Sequence, residues 1–301
     1  MSDRWDQDVV VVGAGVAGLA AATVLGRSLL RVLVLSGPDR RNSGSPEVHN
    51  LPHAEGVPPE VLYTGMERTV TGYGVDIRWE KVDRADLDAG TGTVTVSTSA
   101  GPVRARRLLL ATGLTDDVPA WVPDGAWGVQ VFTCPFCHAY EHRGTDFVVV
   151  GRGVVAVETG LLCMPHASEV TVLVSEPDAV DSPAADRVRA LGGAVVADTV
   201  RSAVVDAGVL RLSTAGGSTY GAGAVLLSQI KKPAAGIITA PGLRTTAQGT
   251  PECTGEGRTS HPLVWAAGNA ASPAHLLAEA MASGVRAGMG LVKDLTFEGL
   301  Y

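Results

Sequence analysis

Two stretches of the chain repeat one plan, and that repeat limits the fold more than anything else in the sequence. DVVVVGAGVAGLAAATVLGRSLLRVLVLSG (residues 8–37) reads as a strand over Val9–Val12, a glycine turn, an Ala/Leu-rich helix and a strand over Val32–Leu35. DFVVVGRGVVAVETGLLCMPHASEVTVLVSEP (residues 146–177) reads the same way, with strands over Phe147–Val150 and Val170–Val174. Both are β-α-β units whose strands are apolar without alternation, the pattern of a parallel sheet covered on both faces. Each is followed by a β-branched, glycine-broken stretch, TVTVSTSAGPVRARRLLLATG and VLRLSTAGGSTYGAGAVLLS, which reads as antiparallel strands returning to the sheet. The expected fold is therefore α/β, with two Rossmann-like nucleotide-binding domains of three-layer β/β/α build. The last segment, SPAHLLAEAMASGVRAGMGLVKDL, reads as a closing helix with Ser272 as N-cap and Pro273 at its first position.

Gly13, Gly15 and Gly18 form G-x-G-x-x-G between a strand and a helix. Glycine there permits a tight turn, close backbone approach to a pyrophosphate, and close helix–strand packing, with the helix N-terminus facing the phosphates. The acidic residue that usually holds the adenosine ribose is replaced by Ser36. The second turn, Gly151-Arg152-Gly153 with Ala156, has the same shape. Its following strand ends at Glu176, where a 2′-phosphate would need a cation. NADPH is expected to be repelled, and NADH remains possible because an acid can accept from a free 2′-OH.

Between the two units lies FTCPFCHAYEHRG, with Cys134 and Cys137 two residues apart and His138 next. Covalent haem attachment would need export to an oxidising compartment, and MSDRWDQDVVVVGAG is not a secretory leader. A zinc site would need two further ligands, and no second C-x-x-C is present. A redox couple fits best. Pro135 suits a helix's first turn, so the thiols sit at a helix N-terminus that favours thiolate, and His138 can move protons near neutral pH. Cys163, on a helix, and Cys253, in a polar loop, read as cysteines without chemistry, and Glu141 as a solvated charge.

Composition narrows the partners. A net charge of −7 without a Lys/Arg block argues against nucleic acid and anionic membranes, and no apolar run approaches a membrane span. A cytoplasmic location follows as an expectation. At 301 residues and 46% hydrophobic composition the chain can bury two cores.

In this order the motifs resemble the thioredoxin-reductase-like flavoprotein family: the first glycine turn, RRN at 40–42, HNLPHAEG at 49–56, LLATG at 109–113, the C-x-x-C, the second glycine turn, and RTSHPLVWAAGN at 258–269. Cys134, Cys137, His138, Tyr140 and Glu141 are similar to the dithiol oxidase branch, the gliotoxin- and holomycin-type enzymes, in which C-x-x-C-H replaces C-x-x-C-D. The resemblance implies FAD, a homodimer, and an FAD domain (1–115 and 244–301) interrupted by a nucleotide-binding-like domain (116–243) carrying the cysteines. It implies FAD contacts from Gly13, Gly15, Gly18, Ser36, Arg41, Asn42, His49, Asn50, Ala111, Thr112, Gly113, Gly268, Asn269, His275 and Leu276. Asn269 stands where the family has Asp, and Leu276-Leu277 where thioredoxin reductases have Arg-Gln. It also implies that Cys137 passes electrons to the flavin while Cys134 meets a small-molecule dithiol, with O2 as final acceptor. Three other readings stay open: an NAD(P)H-dependent, thioredoxin-reductase-like reductase of a protein disulfide, driven by NADH or another donor, an elimination enzyme without net redox, and a flavin-poor protein that sequesters a dithiol.

Overall fold

The structure is a computed structural model that describes residues 4–82, 84–228, 231–233 and 242–298. It divides into two compact units. The first comprises residues 1–41, 51–116 and 231–301, and the second residues 42–50 and 117–230. The second is thus a chain insertion in the first, and the short segment 42–50 belongs with it.

In the first unit, strand Gln7–Val12 pairs in parallel with Val32–Leu35 on one side and Gly101–Leu110 on the other. Asp76–Arg78 continues the sheet beyond Val32–Leu35, and Val264–Ala266 adds in parallel to the far end of Gly101–Leu110. Thr93–Thr98 and Arg84–Asp88 extend the other side antiparallel, which is the return predicted from the β-branched run. Val9, Val10, Val11, Leu33, Val34 and Leu35 are fully buried, which is why these strands carry no polar alternation. Helix Val16–Arg27 covers one face together with the closing helix Leu277–Thr296. Those two helices meet backbone to backbone: a Cβ at Gly284 would lie 2.0 Å from the Ala17 carbonyl oxygen.

The closing helix begins at Leu277, not at the predicted Ser272–Pro273 start. The Asn269 side-chain amide donates to the Ser272 and His275 carbonyl oxygens at 3.2 and 3.0 Å, fixing those residues as a loop. Glu279 then caps the helix by accepting from the Leu276 N–H at 2.9 Å.

The second unit repeats the scheme. Its parallel sheet runs in the order Ala194–Ala197, Glu169–Val174, Asp146–Gly151, Ala224–Leu227, Val131–Phe132. Strands Val200–Asp206, Val209–Thr214 and Thr219–Ala222 form a separate antiparallel sheet. Helix Gly153–Cys163 follows the second glycine turn, and its Ala156, Val157 and Cys163 are fully buried against the parallel sheet. Among the described residues no helix is long and apolar enough to cross a membrane.

Candidate active site

The first glycine turn gives each glycine a separate task. Gly13 ends its strand at φ +112°, and a Cβ there would meet the Ala111 carbonyl oxygen at 2.3 Å. A Cβ at Gly18 would lie 1.9 Å from the Gly13 oxygen, so it secures helix–turn contact. Gly15 is the N-cap of helix Val16–Arg27, and a Cβ added there would have nothing within 4 Å. That leaves open space where a pyrophosphate can approach backbone. The helix has no acidic residue in its first turn to oppose a phosphate.

Ala111-Thr112-Gly113 leave the end of strand Gly101–Leu110 beside this turn, with Gly113 at φ +68°. The Thr112 Oγ1 and His275 Nδ1 atoms are buried with no hydrogen-bond partner among the described residues. Gly268, at φ +63°, would drive a Cβ to 2.6 Å from the Ala17 Cβ, so it too packs on the first helix. Asn269 uses its amide nitrogen on its own loop, which leaves Oδ1 as the atom it can offer a ligand hydroxyl. These residues fit FAD: backbone-lined room at Gly15, a helix N-terminus, and buried polar atoms awaiting a partner.

Ser36 Oγ donates to the Gly37 oxygen at 2.9 Å. The arginine that reaches the glycine turn is Arg40. Its Nε donates to the Ala14 oxygen at 3.2 Å, its guanidinium lies 4.2 Å over Tyr63 and 5.2 Å over Trp79, and it pairs with Glu67. The sequence pointed to its neighbour, because RRN alone does not say which arginine turns toward the glycines. Arg41 instead forks onto Asp116, with both bonds at 2.7 Å.

The cysteine segment forms a one-turn helix, Pro135–His138, with Cys134 at the N-cap and Pro135 at the first position as predicted. Cys134 and Cys137 are joined as a disulfide, their Cα atoms 5.3 Å apart. His138 stacks on Phe132 at 4.9 Å, and its Nε2 lies 3.1 Å from Ser45 Oγ. Burial pulls the imidazole down to about 4; the Glu141 charge opposes this, while His49 and His142 add to it. His138 is therefore neutral near pH 7 and a weaker base than a solvated imidazole.

Segment 42–50, read from sequence as flavin-binding, packs in this same unit. The Asn50 side-chain amide donates to the Phe136 carbonyl oxygen at 2.6 Å. His49 Nε2 stands 3.6 Å from Glu141 and 3.9 Å from Glu47. The structure thus brings His49 and Asn50 to the cysteine segment, a long-range placement that no local pattern in HNLPHAEG announces. The other two thiols are unreactive by environment: burial pushes Cys163 up to about 12, and it also raises the half-buried Cys253.

At the second glycine turn, the Glu176 carboxylate does more than face a distant 2′-phosphate. Its Oε1 accepts from Arg152 Nε and Nη2 at 3.1 and 2.9 Å, and a Cβ at Gly153 would lie 2.9 Å from Oε2. The carboxylate lies over the turn itself.

Two β-α-β folds, a glycine turn with open space at Gly15 and a cysteine disulfide define a disulfide oxidoreductase scaffold. The chain belongs to the pyridine nucleotide-disulphide oxidoreductase family, which it matches over residues 7–286. Over 185 residues it is 30% identical to thioredoxin reductase sirT of Leptosphaeria maculans, and over 172 residues 31% identical to thioredoxin reductase of Mycolicibacterium smegmatis. Those matches take in 56% and 55% of this chain, and 55% and 54% of the relatives, so the chain spans about half the length of the curated relatives it matches. The crystal structure of HlmI superposes with a TM-score of 0.89 at 30% identity, covering 98% of this chain and 94% of that one.

Proposed function

We propose that this protein is an FAD-dependent dithiol oxidase that closes a disulfide in a small-molecule dithiol. The observation that carries the reading is the Glu176 carboxylate over Gly153. The carboxylate, held by Arg152, occupies room at the turn that a dinucleotide's phosphates would take, which favours electron entry from the cysteine side. The C-x-x-C-H sequence and the similarity to HlmI support the same branch.

In this reading the first substrate thiol gives its proton to neutral His138 and attacks Cys134 Sγ. The Cys134–Cys137 bond breaks, Cys137 leaves as thiolate, and a mixed disulfide stands at Cys134. The second substrate thiolate displaces Cys134, releasing the product disulfide with both electrons left on the cysteine pair. Gly13, Gly15, Gly18, Thr112 and Asn269 would hold FAD, which when bound would supply the acceptor for that pair and a route to O2 with H2O2 as product. Cys137 is the thiolate that hands the pair on, and the disulfide re-forms. The resemblance extends the proposal to a homodimer.

The test is peroxide release. Protein loaded with FAD and given dithiothreitol in air should form one H2O2 per disulfide made; Cys134→Ser and Cys137→Ser should each abolish it, and Cys163→Ser should not. A colourless protein after incubation with excess FAD, or turnover that survives Cys134→Ser, overturns the reading. The second reading, an NADH-driven reductase, draws on the intact Gly151-Arg152-Gly153 turn and on the name thioredoxin reductase carried by relatives.

A further inference from the structure

Segment 42–50 lies along the cysteine segment within the second unit. Its seat is fixed near both ends. Gly128, at φ +79°, would set a Cβ 2.6 Å from the carbonyl carbon and oxygen of Gly44, so these two glycines are in backbone contact. Val48 is buried, and two residues beyond it the chain turns left-handed at Asn50, with φ +58°. Asparagine is one of the few residues besides glycine that take this conformation readily. From there its Nδ2 donates to the Phe136 carbonyl oxygen at 2.6 Å.

Phe136 stands between the two cysteines, and its carbonyl belongs to the same peptide unit as the Cys137 N–H. That peptide is held at both poles. The N–H donates to the Cys134 oxygen at 3.2 Å, and the carbonyl accepts from Asn50. The Ala139 N–H closes on the Pro135 oxygen at 3.0 Å, so the next carbonyl of the one-turn helix is served from outside it. A four-residue helix is little more than a nucleus, with too few bonds of its own to offset the entropy of ordering its backbone. The Cys134–Cys137 disulfide staples it while oxidised. On reduction the staple is lost, and the bond from Asn50 remains.

We propose that Asn50 is a positioning residue for the redox pair: by holding the Phe136 carbonyl it keeps the C-x-x-C turn closed after reduction, and so favours return of the disulfide. This rests on Cys134 and Cys137 being the exchanging pair, and not on the flavin or on oxygen. Two thiols kept on one ordered turn meet at a higher effective concentration than two thiols on a frayed one. Loss of the Asn50 bond therefore lowers the equilibrium constant for closing the disulfide and makes the pair easier to reduce.

The test is a redox titration of the full chain in buffers of reduced and oxidised dithiothreitol, quenched by thiol alkylation and read by mass. Dithiothreitol passes two electrons and two protons to the pair, leaving two cysteine thiols, and closes its own disulfide. Asn50→Gly keeps the left-handed backbone without the donor. Asn50→Asp keeps the outline of the side chain but sets a carboxylate against the carbonyl. Asn50 is exposed, so neither change opens the core. Both should lower the closing constant about three- to tenfold, a potential about 15–30 mV less negative for a two-electron couple. His53→Gly, at the left-handed residue three positions on, should leave the potential unchanged. In the reduced protein the Cys137 amide should exchange hydrogen faster in both Asn50 variants, while the amides of Phe147, Val148 and Val149 keep their protection. A parent-like potential in Asn50→Gly, an equal shift in His53→Gly, or unchanged Cys137 exchange overturns the proposal. If the shifts appear while no peroxide forms with FAD present, the oxidase reading fails and this one stands; peroxide without the shifts removes this one alone.

Discussion

Glu176 and Gly153 are paired across the second glycine turn: a Cβ on Gly153 would come within 2.9 Å of the Glu176 Oε2. Arg152, at the N-cap of helix Gly153–Cys163, holds the same carboxylate through Oε1. A turn shaped for a dinucleotide is covered by a side chain of its own unit. The repulsion is screened, since both side chains are substantially exposed, so it works by occupying the phosphate seat as well as by charge.

The first prediction concerns that seat. Glu176→Ala should raise affinity for NADH and NADPH by about tenfold, on the order of 1 kcal/mol after screening. Calorimetric titration measures it. Equal and tight NADPH binding in the parent and the variant contradicts the assignment.

At the first turn, Gly15→Ala separates folding from cofactor binding. Gly15 has φ −74°, and nothing lies within 4 Å of an added methyl, so thermal stability of the cofactor-free protein should change little. The methyl would stand on the side left open for phosphate, and FAD affinity should fall at least about tenfold. Gly13→Ala is the contrast: with φ +112° and a carbonyl oxygen at 2.3 Å, it should destabilise the fold itself. Equal loss of stability in both variants would refute the division of roles.

Replacing Asn269 by Asp restores the acid expected by resemblance, yet the surroundings favour the amide. Two carbonyl oxygens, of Ser272 and His275, receive its hydrogens, and a carboxylate would face both without a donor. Asn269→Asp should cost about 1–3 kcal/mol of stability and should not tighten FAD. Fluorescence titration with FAD and a denaturant melt decide it; tighter binding at unchanged stability means the amide does not hold the loop.

His138 sets an acid limit. Its value in the folded chain is about 4, below its ordinary 6.5, because it is buried neutral. Between those values the unfolded chain binds the extra proton, so this contribution is complete above about 6.5 and is lost as pH falls toward 4. The loss should be on the order of 1–3 kcal/mol. His138→Gln should flatten that part of the stability–pH curve measured by urea unfolding; an unchanged slope counts against a buried neutral ring.

Much of the fold is written locally. Val32–Leu35 is a strand over the predicted residues because a continuous apolar run between Arg31 and Ser36 has no other use in a covered sheet. The glycine spacing places the first cradle for the same reason: only those positions tolerate the contacts that Gly13 and Gly18 make. What the sequence hides is side-chain choice at a distance. Asn269 withholds Ser272 from the helix it was expected to cap, and Arg40 rather than Arg41 reaches the Ala14 oxygen. Ser45 meets a histidine 93 residues away. No period or local motif encodes that pairing; it comes from the contact of Gly44 with Gly128.

The central claim is that electrons enter this protein from thiols and not from NADPH. Anaerobic stopped-flow mixing of the FAD-loaded protein with dithiothreitol, and separately with NADPH, reads it from the flavin absorbance. Bleaching by the dithiol is expected, lost in Cys134→Ser and Cys137→Ser, with no bleaching by NADPH on the same timescale. Rapid bleaching by NADPH in the parent protein would contradict it.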